Sequence, residues 1–177
     1  MPYLEAVIDE VMRLHATLLS RTATRDTQVL GKFIPKGTTV WMLCNGPGFQ
    51  SPSFDSAIAQ RGANTENSFS KDWNETGDMF TFEPERWLRK KENPSGEGDE
   101  FEHNGNAAPN FAFGQGFRGC WGRRLAYVEL RVVVTLLIWH FDLLPVKPAL
   151  NYTPATLSVI SRSDACYVRL RRRNDTR

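Results

Sequence analysis

The residues with the clearest chemical content form one run, FGQGFRGCWG, at 113–122. A single cysteine, Cys120, closes a glycine-rich turn directly before a segment with helical patterning. Backbone N–H groups of such a turn and of the helix start point at the sulfur. Both favour the thiolate over the thiol, and with it a metal-bound sulfur. Gly114, Gly116, Gly119 and Gly122 let the main chain approach a flat ligand closely, where a side chain would clash. Arg118, two residues before the cysteine, is placed to pair with an anionic group on that ligand.

Two other readings fit the same ten residues. Gly114-Gln-Gly116-Phe-Arg-Gly119 spells GxGxxG between a short strand at 110–113 and a helix, the context a dinucleotide-binding turn demands. Against it, the strand is short and follows Asn104-Gly105-Asn106, and no acid ends the next strand. Nothing later supplies further βαβ units. The plainer alternative is a glycine turn that merely caps a structural helix. No CxxC or Cys/His cluster has zinc spacing, so Cys44, Cys120 and Cys166 read as free thiols. His15, His103 and His140 have no partner at ligand spacing.

A second constellation lies far from the first. Glu10 and Arg13 stand three apart on one helical face, where they can pair. Downstream, Phe82-Glu83-Pro84-Glu85-Arg86-Trp87 offers a further arginine. An Arg–Glu–Arg cluster buried between helix and loop is costly unless fully paired, and fully paired it pins a distant loop to the helix.

These residues need elements to position them. Leu4, Val7, Ile8, Val11 and Leu14 recur at helical spacing, which predicts a helix over 3–15 with one buried face, Pro2 in its first turn. Residues 27–34 read as a short β-hairpin and Ile34–Gly37 as a type I turn. Thr38 to Leu43 reads as a strand. The stretches 56–80 and 89–109 are polar and rich in Gly, Ser and Asn; both are expected as loops, the second a mobile one. Residues 121–141 read as a long helix, apolar on most sides after Leu125, which implies burial within a larger body. Strands are expected at 141–145 and 167–170. The fold class is α+β, mainly α with small sheets, in one partial domain over 1–177.

Composition excludes some classes. A net charge of +2 is too balanced to make nucleic acid the main partner, and 41% hydrophobic residues are enough for a core. Arg169, Arg171, Arg172 and Arg173 read as a solvated terminus, and Asp142 has no evident partner. The longest apolar stretch, 132–139, is too short to span a bilayer. No signal peptide or membrane anchor is expected on this chain.

ExxR at Glu10–Arg13, then FEPERW, then FGQGFRGCWG, in that order, resembles the cytochrome P-450 family, and the wording is similar to its fungal members. The resemblance covers most of the chain and implies the C-terminal part of that fold. It implies Cys120 as axial ligand to the iron of haem b (iron protoporphyrin IX), with Phe113 packed beside the sulfur. Gly114 belongs to the same haem-binding turn. Gly116 is implied as the turn glycine, Gly122 as the glycine against the porphyrin, and Arg118 as a propionate contact. Glu10, Arg13 and Arg86 are implied as a structural triad that does no chemistry itself.

The implied activity is oxygen insertion from dioxygen into a small organic substrate, with an NADPH-dependent reductase as electron donor at the cytosolic face of the endoplasmic reticulum. The family's oxygen-binding helix lies upstream of ExxR, so the chain alone is expected to be inactive. A non-catalytic haem-binding fragment and a thiolate-haem isomerase or dehydratase remain as alternatives. Departures from the family pattern are Phe117 where proline is usual, Trp121 where an aliphatic residue is usual, Ala16-Thr17 in place of Pro-Pro, and a longer stretch over 56–80.

Overall fold

The computed structural model describes residues 1–16, 18–29, 31–44, 80–91, 100–108, 110–152, 155–156 and 162–173. Helix α1 spans Pro2–His15, with Pro2 at its start, Glu5 in its first turn and Arg13 and His15 in its last. That order suits the helix dipole at both ends. Its buried face differs from the one the apolar spacing predicts. Ala6, Ile8, Asp9, Glu10 and Arg13 are buried, whereas Val11 is exposed. The polar side of the helix turns inward because its neighbours answer it with hydrogen bonds.

Strand β1 (Leu18–Thr22), which the sequence did not announce, pairs antiparallel with β4 (Thr39–Leu43), from Leu18↔Leu43 to Thr22↔Thr39. The predicted hairpin lies between them as β2 (Thr27–Val29) and β3 (Lys32–Ile34). The turn before β4 falls one residue later than expected. Thr38 N–H donates to the Pro35 carbonyl at 3.2 Å, and Gly37 has φ 87°. A positive φ at the third place is what a type II turn requires and a type I turn does not.

Residues 45–79, most of one expected loop, lie outside the described residues. The FEPERW segment forms a short 3-10 turn, Pro84–Trp87. The reading of 89–109 as mobile loop gives way at both ends. Strand β5 (Leu88–Lys90) pairs with β6 (Phe101–His103), and Ala107 and Ala108 are buried; residues 92–99 and 109 lie outside the described residues.

Helix α2 spans Arg123–His140. Strand β7 (Phe141–Leu144) pairs antiparallel with β10 (Arg169–Arg172), and β8 (Ala155–Thr156) with β9 (Arg162–Ser163). Each sheet among the described residues has two strands. The terminal arginines are therefore partly structural, since Arg171 and Arg173 hold Asp142 at 3.0 and 2.9 Å.

Among the described residues the apolar core is small: Ala6, Trp87, Ala107 and Ala108, with Leu88 packed against it. Trp87 is its one large side chain and is fully buried. The burial expected for α2 is not supplied by the described residues. Leu125, Val128, Val132, Val133, Leu136 and Trp139 are exposed, and Tyr127 is the helix's buried residue.

Trp87 joins packing to polar chemistry, because its Nε1–H donates to Glu10 Oε2 at 2.8 Å. Trp87→Phe keeps a ring but removes that donor and should cost about 1–3 kcal/mol. Trp87→Ala also opens a cavity and should cost about 3–5 kcal/mol. Denaturant midpoints of the two variants check the difference.

Candidate functional site

The cysteine loop is built by short-range hydrogen bonds around glycines. Gly114 N–H donates to Phe111 O at 2.9 Å, Gly119 N–H to Gly116 O at 3.0 Å, and Cys120 N–H to Phe113 O at 2.7 Å. Gly114 and Gly116 have φ of 67° and 66°, a backbone region that side chains disfavour. A Cβ on buried Gly114 would also meet Arg118 O, Gly119 Cα and a Leu19 methyl at 3.7–3.9 Å, inside the loop. Its lack of a side chain thus serves the turn.

Cys120 is an exposed free thiol. Gly122 leaves the space beside it open: a Cβ there would stand 3.7 Å from Cys120 Sγ. Arg118 is exposed, with its guanidinium 5.9 Å from the Phe117 ring centre, and no acid among the described residues pairs with it. Phe113 is half-buried and packs on Tyr127, ring centres 5.8 Å apart. Phe117 and Trp121 are almost wholly exposed, at 94% and 97%. Trp121 therefore does not pack onto the loop.

These features bear on the dinucleotide reading. Residues 110–115 hold a turn at 112–113 and no strand, and β7 after α2 pairs antiparallel with β10. A parallel βαβ unit is absent at this point. The haem expectation fits better. Among the described residues no group of three or more His, Cys, Asp or Glu could hold a bare metal ion. A lone accessible sulfur would suit instead an iron whose remaining ligands come with a macrocycle. The bare Gly122 and the unpaired Arg118 leave room and charge for such a group.

The structure brings Glu10, Arg13 and Arg86 together. Glu10 is fully buried and its carboxylate accepts five hydrogen bonds. Arg13 donates twice, each at 2.8 Å; Arg86 Nε donates at 3.0 Å, Glu83 N–H at 3.1 Å and Trp87 Nε1–H at 2.8 Å. Arg86 also pairs with Glu83 at 2.9 Å. Burial works to raise the Glu10 carboxyl, but the bonds from Arg13, Trp87 and Glu83 outweigh it and hold it below the usual range.

A second buried carboxylate escaped sequence reasoning. Asp9 accepts a hydrogen bond from the Tyr127 hydroxyl at Oδ1, and His103 Nε2 lies 2.8 Å from Oδ2. Asn110 Nδ2 donates to Oδ1 at 3.3 Å and to the Asp9 carbonyl at 3.4 Å. Burial, then the bond to Asp9, pushes the Tyr127 hydroxyl up to about 12, so it stays a donor at neutral pH. The arginines at 123 and 131 flank its ring at 5.5 and 5.8 Å. Glu5 and Arg131 bind each other bidentately at 2.5 and 2.8 Å, joining α1 to α2. A surface cleft of about 660 Å³ opens beside these groups. His103, placed by the sequence in a mobile loop, is thus fixed at the end of β6.

Several known proteins resemble this chain. A family model described as Cytochrome P450 matches residues 1–47 and 77–164. The Hps1-dma1 cluster cytochrome P450 monooxygenase cyp3.1 of Dothistroma septosporum is 41% identical over 181 residues, covering 96% of this chain and 57% of its own length. The cytochrome P450 monooxygenase TRI13 of Fusarium sporotrichioides is 40% identical over 182 residues, covering 96% of this chain and 31% of its own. Two solved structures share the fold. A crystal structure of a cytochrome P450 (CYP102L1) has TM-score 0.62 and 24% identity, over 97% of this chain and 32% of that one. A zebra fish cytochrome P450 with abiraterone has TM-score 0.63 and 22% identity, over 98% and 34%. The chain spans between about a third and just over half of these relatives' lengths.

The Glu10 network sets an acid limit on stability. Because folding depresses the Glu10 carboxyl, its contribution is complete above about pH 4.3, the usual unfolded value, and is lost as pH falls through the folded value. Glu10→Gln should flatten that acid limb in pH-dependent unfolding. At neutral pH it should cost about 3–5 kcal/mol, because buried Arg13 loses the charge that answers it and Arg86 loses its link to α1.

Proposed function

This chain belongs to the cytochrome P450 family, and from that premise we propose that it carries the haem-thiolate side of a monooxygenase, with Cys120 as the axial ligand. Membership implies a haem cofactor; the finer assignment is haem b. The observation that carries the reading is the exposed Cys120 thiol on its glycine turn, beside the bare Gly122 and at the foot of α2.

Haem bound there supplies dioxygen activation, and thiolate donation favours O–O cleavage, as is general to this family. The chain's own residues hold and shape the site. Phe113 fixes Cys120 through its carbonyl and backs the loop with its ring. Arg118 offers a free guanidinium to a carboxylate on the macrocycle. Gly114 and Gly116 keep the loop tight through their positive φ, and Gly122 puts no side chain beside the sulfur. Glu10, Arg13 and Arg86 hold the 83–87 segment against α1 and touch no reacting atom.

The relatives carry the name monooxygenase, which supports oxygen insertion into a small organic molecule over isomerase or dehydratase chemistry. A reductase would deliver the electrons, at the cytosolic face of the endoplasmic reticulum. No described helix is long and apolar enough to cross a membrane. The exposed apolar face of α2 supports a working protein in which further polypeptide covers it.

The test is spectroscopic. The haem-loaded protein, reduced under carbon monoxide, should show a Soret band of the thiolate-ligated type. Cys120→Ser should abolish that band, while Cys44→Ser and Cys166→Ser should leave it in place. A band of the imidazole-ligated type in the unsubstituted protein would overturn the assignment.

A further inference from the structure

Asp9 and Glu10 are neighbours in sequence and both buried, yet they serve different parts of the chain. Successive side chains on an α-helix diverge by about 100°, so Glu10 faces 83–87 while Asp9 faces α2, β6 and the cysteine loop. Two of Asp9's partners lead to that loop. Asn110 donates to Asp9 and, through its own side-chain oxygen, accepts Ala112 N–H at 3.2 Å. Tyr127 donates to Asp9 and packs its ring on Phe113. The Phe113 carbonyl in turn holds Cys120 N–H at 2.7 Å.

We propose that Asp9 is a positioning residue for Cys120: its carboxylate fixes Asn110 and Tyr127, and through them the start of the 110–120 loop and the seat of the sulfur. This rests on Cys120 being the haem ligand. A group that only tied α1 to α2 would have no need to reach Asn110. The Glu5–Arg131 pair joins the same two helices and, among the described residues, makes no hydrogen bond to 110–120. That pair therefore serves as the control.

In the haem-loaded, full-length protein, Asp9→Asn, Tyr127→Phe and Glu5→Gln are compared by haem content, thermal midpoint and one rate; Glu5→Gln breaks the pair but keeps Arg131 over the Tyr127 ring. The rate is the loss of the thiolate-type Soret band from the reduced carbon monoxide complex in dilute denaturant. Asp9→Asn and Tyr127→Phe should keep haem but lose the band about tenfold faster, the factor that one charge-assisted hydrogen bond makes. Glu5→Gln should lower the midpoint and leave the rate alone. The Asp9→Asn/Tyr127→Phe double variant should lose the band much less than a further tenfold faster, since the two share one link.

If Asp9→Asn and Tyr127→Phe lower the midpoint and keep the original rate, Asp9 is only a helix tie and the proposal falls. Should Asp9→Asn fail to hold haem, Tyr127→Phe, which removes a single hydroxyl, decides on the same rate. Absence of a thiolate-type band in the unsubstituted protein is a separate result. It sinks the ligand assignment itself, before any Asp9 variant is read.

Discussion

The fold is organised around one buried negative charge. Removing a carboxylate and two guanidinium groups from water costs several kcal/mol for each ion, and only close, complete hydrogen bonding offsets that cost. Glu10 meets the condition. Arg13 binds it side-on from the same helix, and Arg86, Trp87 and the Glu83 N–H reach it from a segment more than seventy residues later. The interaction therefore does what an apolar contact cannot. It fixes a distant segment in distance and direction, because each donor must point at a particular oxygen. From that fixed segment β5 runs on, pairs with β6 and brings the chain to Asn110, where the cysteine loop starts.

Apolar packing alone could not set these positions. The hydrophobic effect is non-directional and scales with area, and the core among the described residues is one tryptophan among alanines. The larger apolar surface, along α2, points away from it. What holds α2 to α1 among the described residues is polar at its ends and aromatic in the middle: Glu5 with Arg131, Asp9 with Tyr127, and the Tyr127 ring between two arginines. Such a site is sensitive to single polar substitutions, because each leaves a buried partner unanswered.

Local rules carried far into the sequence. Helical periodicity gave both helices to within about two residues, and turn chemistry gave the β2–β3 hairpin. The order ExxR, PERW and the cysteine motif pointed to the triad and the loop. What stayed hidden depended on distant partners. Leu18–Thr22 has no clean alternation and becomes a strand because Thr39–Leu43 lies beside it. Residues 100–103 read as loop because nothing local reveals the pairing of Phe101–His103 with Leu88–Lys90. The turn at Pro35 slipped by one place because Ile34-Pro35 satisfies the type I pattern, while the bond from Gly37 N–H to Ala23 O comes from outside the turn. Asp9 was invisible for a related reason. Beside a recognised Glu10 it reads as one more solvated acid, and only Tyr127, His103 and Asn110, all about a hundred residues away, say otherwise.

The two carboxylates are not independent. Trp87 gives its N–H to Glu10 and stacks its ring on His103, centres 6.5 Å apart and planes 24° from parallel. His103 in turn bonds Asp9. The networks of Glu10 and Asp9 thus close through a single aromatic contact on the far side of α1. A shift of the 83–87 segment would move Trp87 and so His103, and it would reach the Asp9 cluster without passing through the backbone of α1. One helical turn carrying two adjacent acids can in this way hold two remote segments in register. Neither segment needs an extended apolar interface of its own, which accounts for how so small a core among the described residues goes with a cysteine loop in a defined place.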